Sequence, residues 1–246
     1  LQNEEIISFE LGYGYLGSDF RVNVNVYSTT WGNRFISRGF ANAAGEEGTA
    51  QFNDIDVRHN GIEVEADYRP INKLKLTGML SMGDWKYTKD FESTLFDDAQ
   101  NQIGTATLYT KDAKVGDAAQ FVAYFEADYR ITNMINADLG YRFVDGLYAD
   151  YSITDSDFTQ PDNLGALKLP SYGLVDAGIT ARFDLFGRDA SFRVNVNNLL
   201  DTTYIAESNS NIHATDASET WNGIDTRNYV WFGFGRTWNA TLKYTF

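Results

Sequence analysis

The 246-residue chain has no cysteine, only three prolines and no apolar run long enough to form a membrane-spanning helix. The absence of cysteine excludes disulfide bonds, thiolate metal sites and thiol nucleophiles. The chain also lacks a cationic face, and its formal net charge of −14 argues against nucleic acid as a partner. The opening letters, LQNEEIISF, contain no basic or strongly apolar stretch, so we expect no secretory signal within this chain.

The sequence is rich in residues that alternate with a period of two. The segment GYGYLG (12–17) has the G-x-G-x-x-G spacing of a dinucleotide-binding turn, which requires a following helix to receive the phosphates. Instead FRVNVNVY (20–27) follows, in which Phe20 and Val22 alternate with Arg21 and Asn23. This pattern predicts a strand, and the glycine-rich segment is interpreted as part of a β-hairpin.

Nine segments alternate in this way, among them a third strand at about 52–69 and a fifth at about 118–130. Connections of about four to six residues follow strands one, three, five and seven, and connections of roughly twenty to thirty residues follow strands two, four, six and eight. Short turns at one rim and long loops at the other predict an all-β fold, a transmembrane antiparallel β-barrel. A soluble β-sandwich also alternates, but its strands are typically only about five or six residues long. Aromatic residues bound the apolar faces, as expected at a lipid interface: Tyr15, Phe20, Tyr68, Tyr129, Phe143, Phe183 and Phe246.

The last two strands resemble those of a known family. VNVNNLLDTTY (194–204) resembles the penultimate-strand motif of TonB-dependent outer-membrane transporters, and GFGRTWNATLKYTF (233–246) is similar to their final strand. NEEIISFELGYGY (3–15) resembles a mid-barrel hairpin of the same family. The resemblance implies a barrel of twenty-two strands with a plug domain and an N-terminal TonB box. Residues 1–246 are then expected to be a single barrel segment, the last nine strands, without the plug, the signal peptide or the TonB box.

The resemblance implies uptake of a scarce nutrient (an iron chelate, a cobalamin-like cofactor, a glycan or a peptide) across the outer membrane of a Gram-negative bacterium. It implies several partners: outer-membrane lipid and lipopolysaccharide, the remainder of the barrel and plug, the TonB-ExbB-ExbD complex through the missing N-terminal region, the barrel-assembly machinery and a surface lipoprotein lid. The alternative is an outer-membrane scaffold or assembly component without transport. An outer-membrane enzyme is disfavoured because no paired nucleophile and base stands out. No cofactor is expected.

Three groups of residues are candidates for function. Charged residues of the polar faces are predicted to line the lumen and contact the plug: Glu63, Glu65, Asp67, Asp128, Arg130, Arg142, Arg182 and Arg193. Aromatic residues near or within the long loops are suited to stacking on a ligand: Trp31, Trp85, Tyr109, Tyr148, Tyr151 and Trp221. The resemblance assigns an assembly signal to the last strand: Trp238, Leu242, Tyr244 and Phe246.

Other polar residues have ordinary structural interpretations. Asn198 lies where alternation would place a lipid-facing side chain, so we expect a β-bulge there. Acidic runs around Asp54 and Asp155 do not match a calcium-binding loop. The two histidines, His59 and His213, have no second ligand at zinc spacing. We therefore expect no metal site.

Overall fold

A computed structural model describes residues 3–41, 47–151 and 156–245 of the chain. Two residues with predicted roles, Asp155 and Phe246, lie outside these ranges. Within the described ranges, no helix is long and apolar enough to cross a membrane.

The described residues form fifteen strands and one short 3-10 helix. The strands are β1 (Glu5–Leu16), β2 (Phe20–Ala41), β3 (Glu47–Ile71), β4 (Leu74–Tyr87), β5 (Phe91–Asp97), β6 (Gln102–Leu108), β7 (Phe121–Arg130), β8 (Ile135–Asp145), β9 (Tyr172–Leu185), β10 (Arg188–Asn197), β11 (Ile205–Ser208), β12 (Thr220–Trp221), β13 (Ile224–Asp225), β14 (Val230–Phe232) and β15 (Thr237–Tyr244). The 3-10 helix is Ser156–Thr159. Nine of the strands form one antiparallel path in the order β1-β2-β3-β4-β7-β8-β9-β10-β15, which confirms the predicted set of alternating strands.

The strand register sorts the side chains onto two faces. On one face, cross-strand partners form an apolar row through Val24, Val64, Leu80, Ala123 and Phe143. We call this the apolar face, and the opposite one the polar face. Because successive side chains of a strand alternate, a slip of one residue would exchange the two faces.

Nothing in the described part of the chain covers the apolar face. Leu11 is 76% exposed, Leu139 is 53% exposed and Trp238 is 73% exposed. A soluble sandwich would bury these side chains against a second sheet. The exposed face therefore fits a wall of a barrel that is covered by lipid.

A row of polar residues borders the apolar face at one end, and aromatic residues border it at the other. Beyond the row of Val26 and Ile62, the next row is polar, and Ser28 Oγ donates a hydrogen bond to Asn60 Oδ1 at 2.8 Å. At the other end, the rings of Phe20 and Tyr68 pack edge to face, with their centres 6.2 Å apart. Aromatic rings are the side chains expected at such an interface.

The aromatic end carries the short connections. Residues 17–19, 72–73, 131–134 and 186–187 join consecutive strands there. The last of these is a two-residue turn in which Phe186 and Gly187 both have positive φ angles, 55° and 75°, the conformation that tight hairpins favour. The long connections lie at the opposite rim.

One long connection differs from the sequence-based expectation. The third strand begins at Glu47 instead of near residue 52, and β2 extends to Ala41, so the two strands form a long hairpin beyond the apolar band. Register shifts interrupt the pairing between Trp31 and Ile36. The β5–β6 hairpin adds to this extension through β3. Pairing in this region follows packing between loops, which alternation within one strand does not reveal.

The long connections enclose two hydrophobic clusters. The first includes Phe52, Ile55 and Phe158, which are 2%, 0% and 0% exposed. The second joins residues of 147–169 to residues of 205–230, with Leu169 and Ile205 at 1% and 2% exposure. The loops at this rim therefore form a packed structure of their own.

Candidate functional site on the polar face

The polar face carries all eight charged residues that were predicted to line the wall. By register they lie on this face: Glu63, Glu65, Asp67, Asp128, Arg130, Arg142, Arg182 and Arg193. Some are paired: Asp67 accepts from Lys75 at 2.9 Å and from Arg21 at 3.2 Å, and Arg193 binds Asp138 at 2.7 Å. These pairs tie neighbouring strands together. Contact between this face and a plug stays a prediction.

A recess lies on the part of the polar face where the charges are unpaired. Its volume is about 380 Å³, and its polar lining comes from Asn23, Asn25, Glu63 and Glu65. No residue in the described part of the chain binds these four side chains. Two glycines of β1 also line the recess, Gly12 and Gly14. A Cβ atom on Gly14 would stand 3.1 Å from Asn23 Oδ1, so the missing side chain leaves the amide accessible.

Aromatic rings adjoin this recess, in the next two rows of the polar face toward the loop rim. Trp85 Nε1 donates a hydrogen bond to Tyr27 Oη at 3.0 Å, and the ring of His59 meets that of Trp85 edge-on at 5.5 Å. We call Tyr27, His59 and Trp85 the aromatic platform. It lies beside the polar row that limits the apolar face, and so at the mouth of the wall.

Two glycines allow the platform rings to lie over the strands. A Cβ atom on Gly61 would be only 2.3 Å from Tyr27 Oη, and one on Gly83 would be 2.7 Å from Trp85 Nε1. Real Cβ atoms do not approach other atoms so closely, and any larger residue would push the ring away. Glycine at these positions therefore allows each ring to lie against the strands. The opposite side of each ring faces the interior side of the wall.

Two of the six aromatic candidates, Trp31 and Trp85, are strand residues of the polar face and do not lie in loops. Trp31 donates to Glu4 Oε2 at 3.1 Å, and the Arg34 guanidinium lies 4.3 Å from its ring centre. Trp85 belongs to the platform.

The other four aromatic candidates take part in loop packing. The ring of Tyr151 stacks on Phe158 at 4.9 Å, and its hydroxyl donates to the Lys114 carbonyl at 2.7 Å. Burial raises the pKa of Tyr151, so its hydroxyl stays protonated. The backbone of Tyr109 donates to Phe158 O, the carbonyl of Tyr148 accepts from Asp117, and Trp221 packs edge-on against Phe232. A role of these four residues in ligand capture stays a prediction.

Sequence reasoning did not identify Tyr27 and His59 as site residues. The available signal was an aromatic residue on an otherwise polar face together with glycines on the neighbouring strands. Gly61 and Gly83 stand in the same cross-strand row as Tyr27.

The aspartates of the acidic run around Asp54 form ion pairs with a lysine. The Lys89 ammonium binds Asp54 at 2.7 Å and Asp56 at 2.9 Å. Within the described residues, no group of three or more histidine or acidic side chains is arranged to hold a metal ion.

Asn198 ends a strand instead of forming the expected bulge. β10 stops at Asn197, and Asn198 has a positive φ of 50° and is only 4% exposed. Its Nδ2 donates to the carbonyls of Thr202 and Phe234 at 2.8 and 3.2 Å, and its Oδ1 accepts from Thr202 N at 2.8 Å. Its role is to fix the turn that leads into the longest loop.

The final strand has the exposed apolar face predicted for an assembly signal. Trp238 is 73% and Leu242 64% exposed, and Tyr244 shares their face at the end of β15. Phe246, the fourth residue of the predicted signal, lies outside the described residues. Recognition of this strand by the assembly machinery stays a prediction.

Comparison with known proteins gives the same type of fold, a β-barrel wall. The family model described as "TonB dependent receptor-like, beta-barrel" matches residues 1–199. No curated protein sequence matches the chain.

Solved structures show the same fold. The ferric-catecholate import receptor Fiu from E. coli K12 in its closed form is 14% identical, with a TM-score of 0.61, and the match covers 100% of this chain and 28% of that one. The copper transporter OprC is 16% identical with a TM-score of 0.63, over 99% of this chain and 32% of that one. The ferric preacinetobactin receptor BauA from Acinetobacter baumannii is 16% identical with a TM-score of 0.59, over 97% and 29%. The chain thus spans less than a third of each of these structures.

Proposed function

Because the chain belongs to the family of TonB-dependent receptors and forms a portion of their β-barrel, we propose that it supplies barrel wall and extracellular loops to a transporter of a scarce nutrient. The family consists of receptors and transporters in the outer membrane of Gram-negative bacteria. Uptake, energised through TonB, is the activity that we assign to the complete protein. The nutrient is an iron chelate, a cobalamin-like cofactor, a glycan or a peptide.

The recess and the aromatic platform together are the observation that carries this proposal. A structural wall needs only paired charges on its inner face, such as Arg193 with Asp138. Here four polar side chains have no partner in the described part of the chain, and they adjoin rings held in place by glycines. Convergent polar groups beside aromatic rings are the usual composition of a small-molecule site.

The remaining parts of the transporter are assigned to segments other than this chain. We assign the chain to the last nine strands of a 22-stranded barrel, with a plug domain and a TonB box elsewhere in the protein. The partners are then the plug, the TonB-ExbB-ExbD complex, the barrel-assembly machinery, lipopolysaccharide and a surface lipoprotein lid. The similar structures with named substrates concern iron chelates and copper, which supports a scarce nutrient but selects none.

The test is growth of a strain that lacks the gene for the full-length protein, on media in which one nutrient at a time is limiting. We expect a growth defect on one nutrient, restored by the full-length gene and not restored when TonB is deleted. A strain with normal uptake of every nutrient but a disordered envelope would contradict transport and favour the scaffold function.

A further inference from the structure

We propose that the recess and the aromatic platform bind one ring of a neutral saccharide, with the ring's C–H face on the platform and its hydroxyl groups in the recess. This inference rests on the proposed function, because it names the class of nutrient that the transporter takes up. It concerns the site formed by β1, β2, β3 and β4 on the polar face, in which the recess lies beside the central row of Val24 and Val64 and the platform lies nearer to the loop rim.

The lining of the recess suits a ligand with many hydroxyl groups. Glu63 and Glu65 present carboxylate oxygens, which accept hydrogen bonds, and Asn23 and Asn25 present amides that both donate and accept. A sugar ring offers neighbouring hydroxyls that donate and accept in the same way. A hydrocarbon ring would leave all four side chains without partners, at a cost for each one removed from water.

The size of the recess is that of a small ligand. Its volume of about 380 Å³ lies near the lower end of the range of about 300–1,000 Å³ that is usual for small-molecule sites. The recess exists because Gly12 and Gly14 lack side chains. A single ring of a longer chain therefore fits, and further rings extend toward the loops.

The platform supplies the complementary apolar contact. Tyr27 and Trp85 are held against the strands over Gly61 and Gly83, so that one side of each ring is available to the interior. The C–H groups on one side of a sugar ring can cover such a surface, since aromatic rings have an electron-rich face. The Tyr27 hydroxyl accepts its hydrogen bond from Trp85 and keeps its own proton available for donation.

The charges around the site disfavour an anionic chelate. Glu63 and Glu65 lie in the recess, and Glu10 is the cross-strand partner of Tyr27. Of the nearby cations, Arg34 is stacked over Trp31 and Arg21 is bound to Asp67. Repulsion from these three carboxylates weakens the binding of an anion, whereas a neutral ring is not repelled and uses the same oxygens as acceptors.

The test measures binding to the purified full-length receptor by isothermal titration calorimetry. The probes are maltohexaose, cellohexaose and mannohexaose, with ferric citrate as the anionic comparison. We expect at least one hexasaccharide to bind, and Trp85→Ala to weaken its binding at least about tenfold. Gly14→Leu fills the recess without removing a polar group, and it should abolish binding.

Tyr124→Phe provides the matched control. Tyr124 also lies on the polar face over a glycine, Gly140, but its hydroxyl binds Glu126, β4 separates it from Glu65, and it does not line the recess. We expect this variant to bind the saccharide within about twofold of the unaltered receptor. Folding of every variant is checked by the heat-dependent shift of the barrel in electrophoresis.

The inference is overturned if the unaltered receptor binds none of the hexasaccharides at about 10 mM, if it binds ferric citrate more tightly, or if Trp85→Ala and Gly14→Leu bind as well as Tyr124→Phe does. Those results leave nutrient uptake in cells unaffected. Conversely, saccharide binding by the purified receptor without TonB-dependent uptake in cells would contradict the proposed function alone.

Discussion

Leu80→Arg tests which face of the sheet meets lipid. Leu80 lies in the central apolar row, paired with Val64 on one side and Ala123 on the other. An arginine at the midplane of a membrane barrel costs about 2–4 kcal/mol on a lipid-facing position. This corresponds to a loss of roughly 30- to 700-fold in the folding equilibrium constant.

Ser81→Arg is the control, because it introduces the same side chain one residue further along β4. Ser81 faces Glu63 across the strand pair on the polar face. An opposite-charge pair across strands changes stability by only about 0.2–1 kcal/mol. We therefore expect a small effect, and a favourable one.

The assay is a urea titration of the full-length receptor in lipid vesicles, followed by tryptophan fluorescence and by the electrophoretic shift of the folded barrel. The expected result is a large loss of folding free energy for Leu80→Arg and almost none for Ser81→Arg. Equal losses, or a larger loss for Ser81→Arg, would refute the assignment of the two faces.

Four further predictions concern the loops and the last strand. Asn198→Ala removes three hydrogen bonds at a buried turn and should destabilise it by about 1–3 kcal/mol; unaltered urea unfolding would contradict this role. Phe158→Ala empties a side chain that is 0% exposed, and we expect a loss of about 3–5 kcal/mol, measured as faster amide exchange in the loops, with unchanged exchange counting against a packed structure. Hydrogen bonds from Arg227 lower the pKa of the Asp225 carboxyl, so the stability it contributes is present above the ordinary aspartate pKa of about 3.9 and is lost as the pH falls below it. Amide exchange at 224–230, corrected for intrinsic rates, should rise in that range, and Asp225→Asn should abolish the change. Tyr244→Asp places a charge on the apolar face of β15 and should lower the amount of receptor in the outer membrane, whereas Glu65→Gln should not; normal insertion of Tyr244→Asp would show that this face is misassigned.

The wall of the barrel could be predicted from the sequence, because its determinants are local. Alternation such as that of Val22 and Asn23 reports which side chain is buried in lipid and which is not, and short connections fix the neighbouring strands. The loop structure could not be predicted in this way. Phe52 and Phe158 are buried by each other's segments, and such packing depends on contacts between residues far apart in the sequence.

The candidate site was predicted only in part for the same reason. Trp85 is conspicuous as a tryptophan near a loop, but its environment depends on Tyr27 and His59 from two other strands. The role of Gly83 becomes evident only when the ring that lies over it is known. The eight charged wall residues needed only the parity of their strands, and their placement on the polar face followed from it.

Lipid should cover the apolar face of the sheet, and the polar face should line an aqueous interior. Since the chain has no cysteine, single cysteines along β8 from Ile135 to Val144 can carry spin labels in the full-length receptor in vesicles, provided that cysteines elsewhere are replaced. Accessibility to oxygen, which concentrates in lipid, should peak at Ala137, Leu139, Tyr141 and Phe143, and accessibility to a water-soluble nickel reagent at the residues between them. Labels on the apolar face that are shielded from both reagents, or that meet the nickel reagent, would contradict the account.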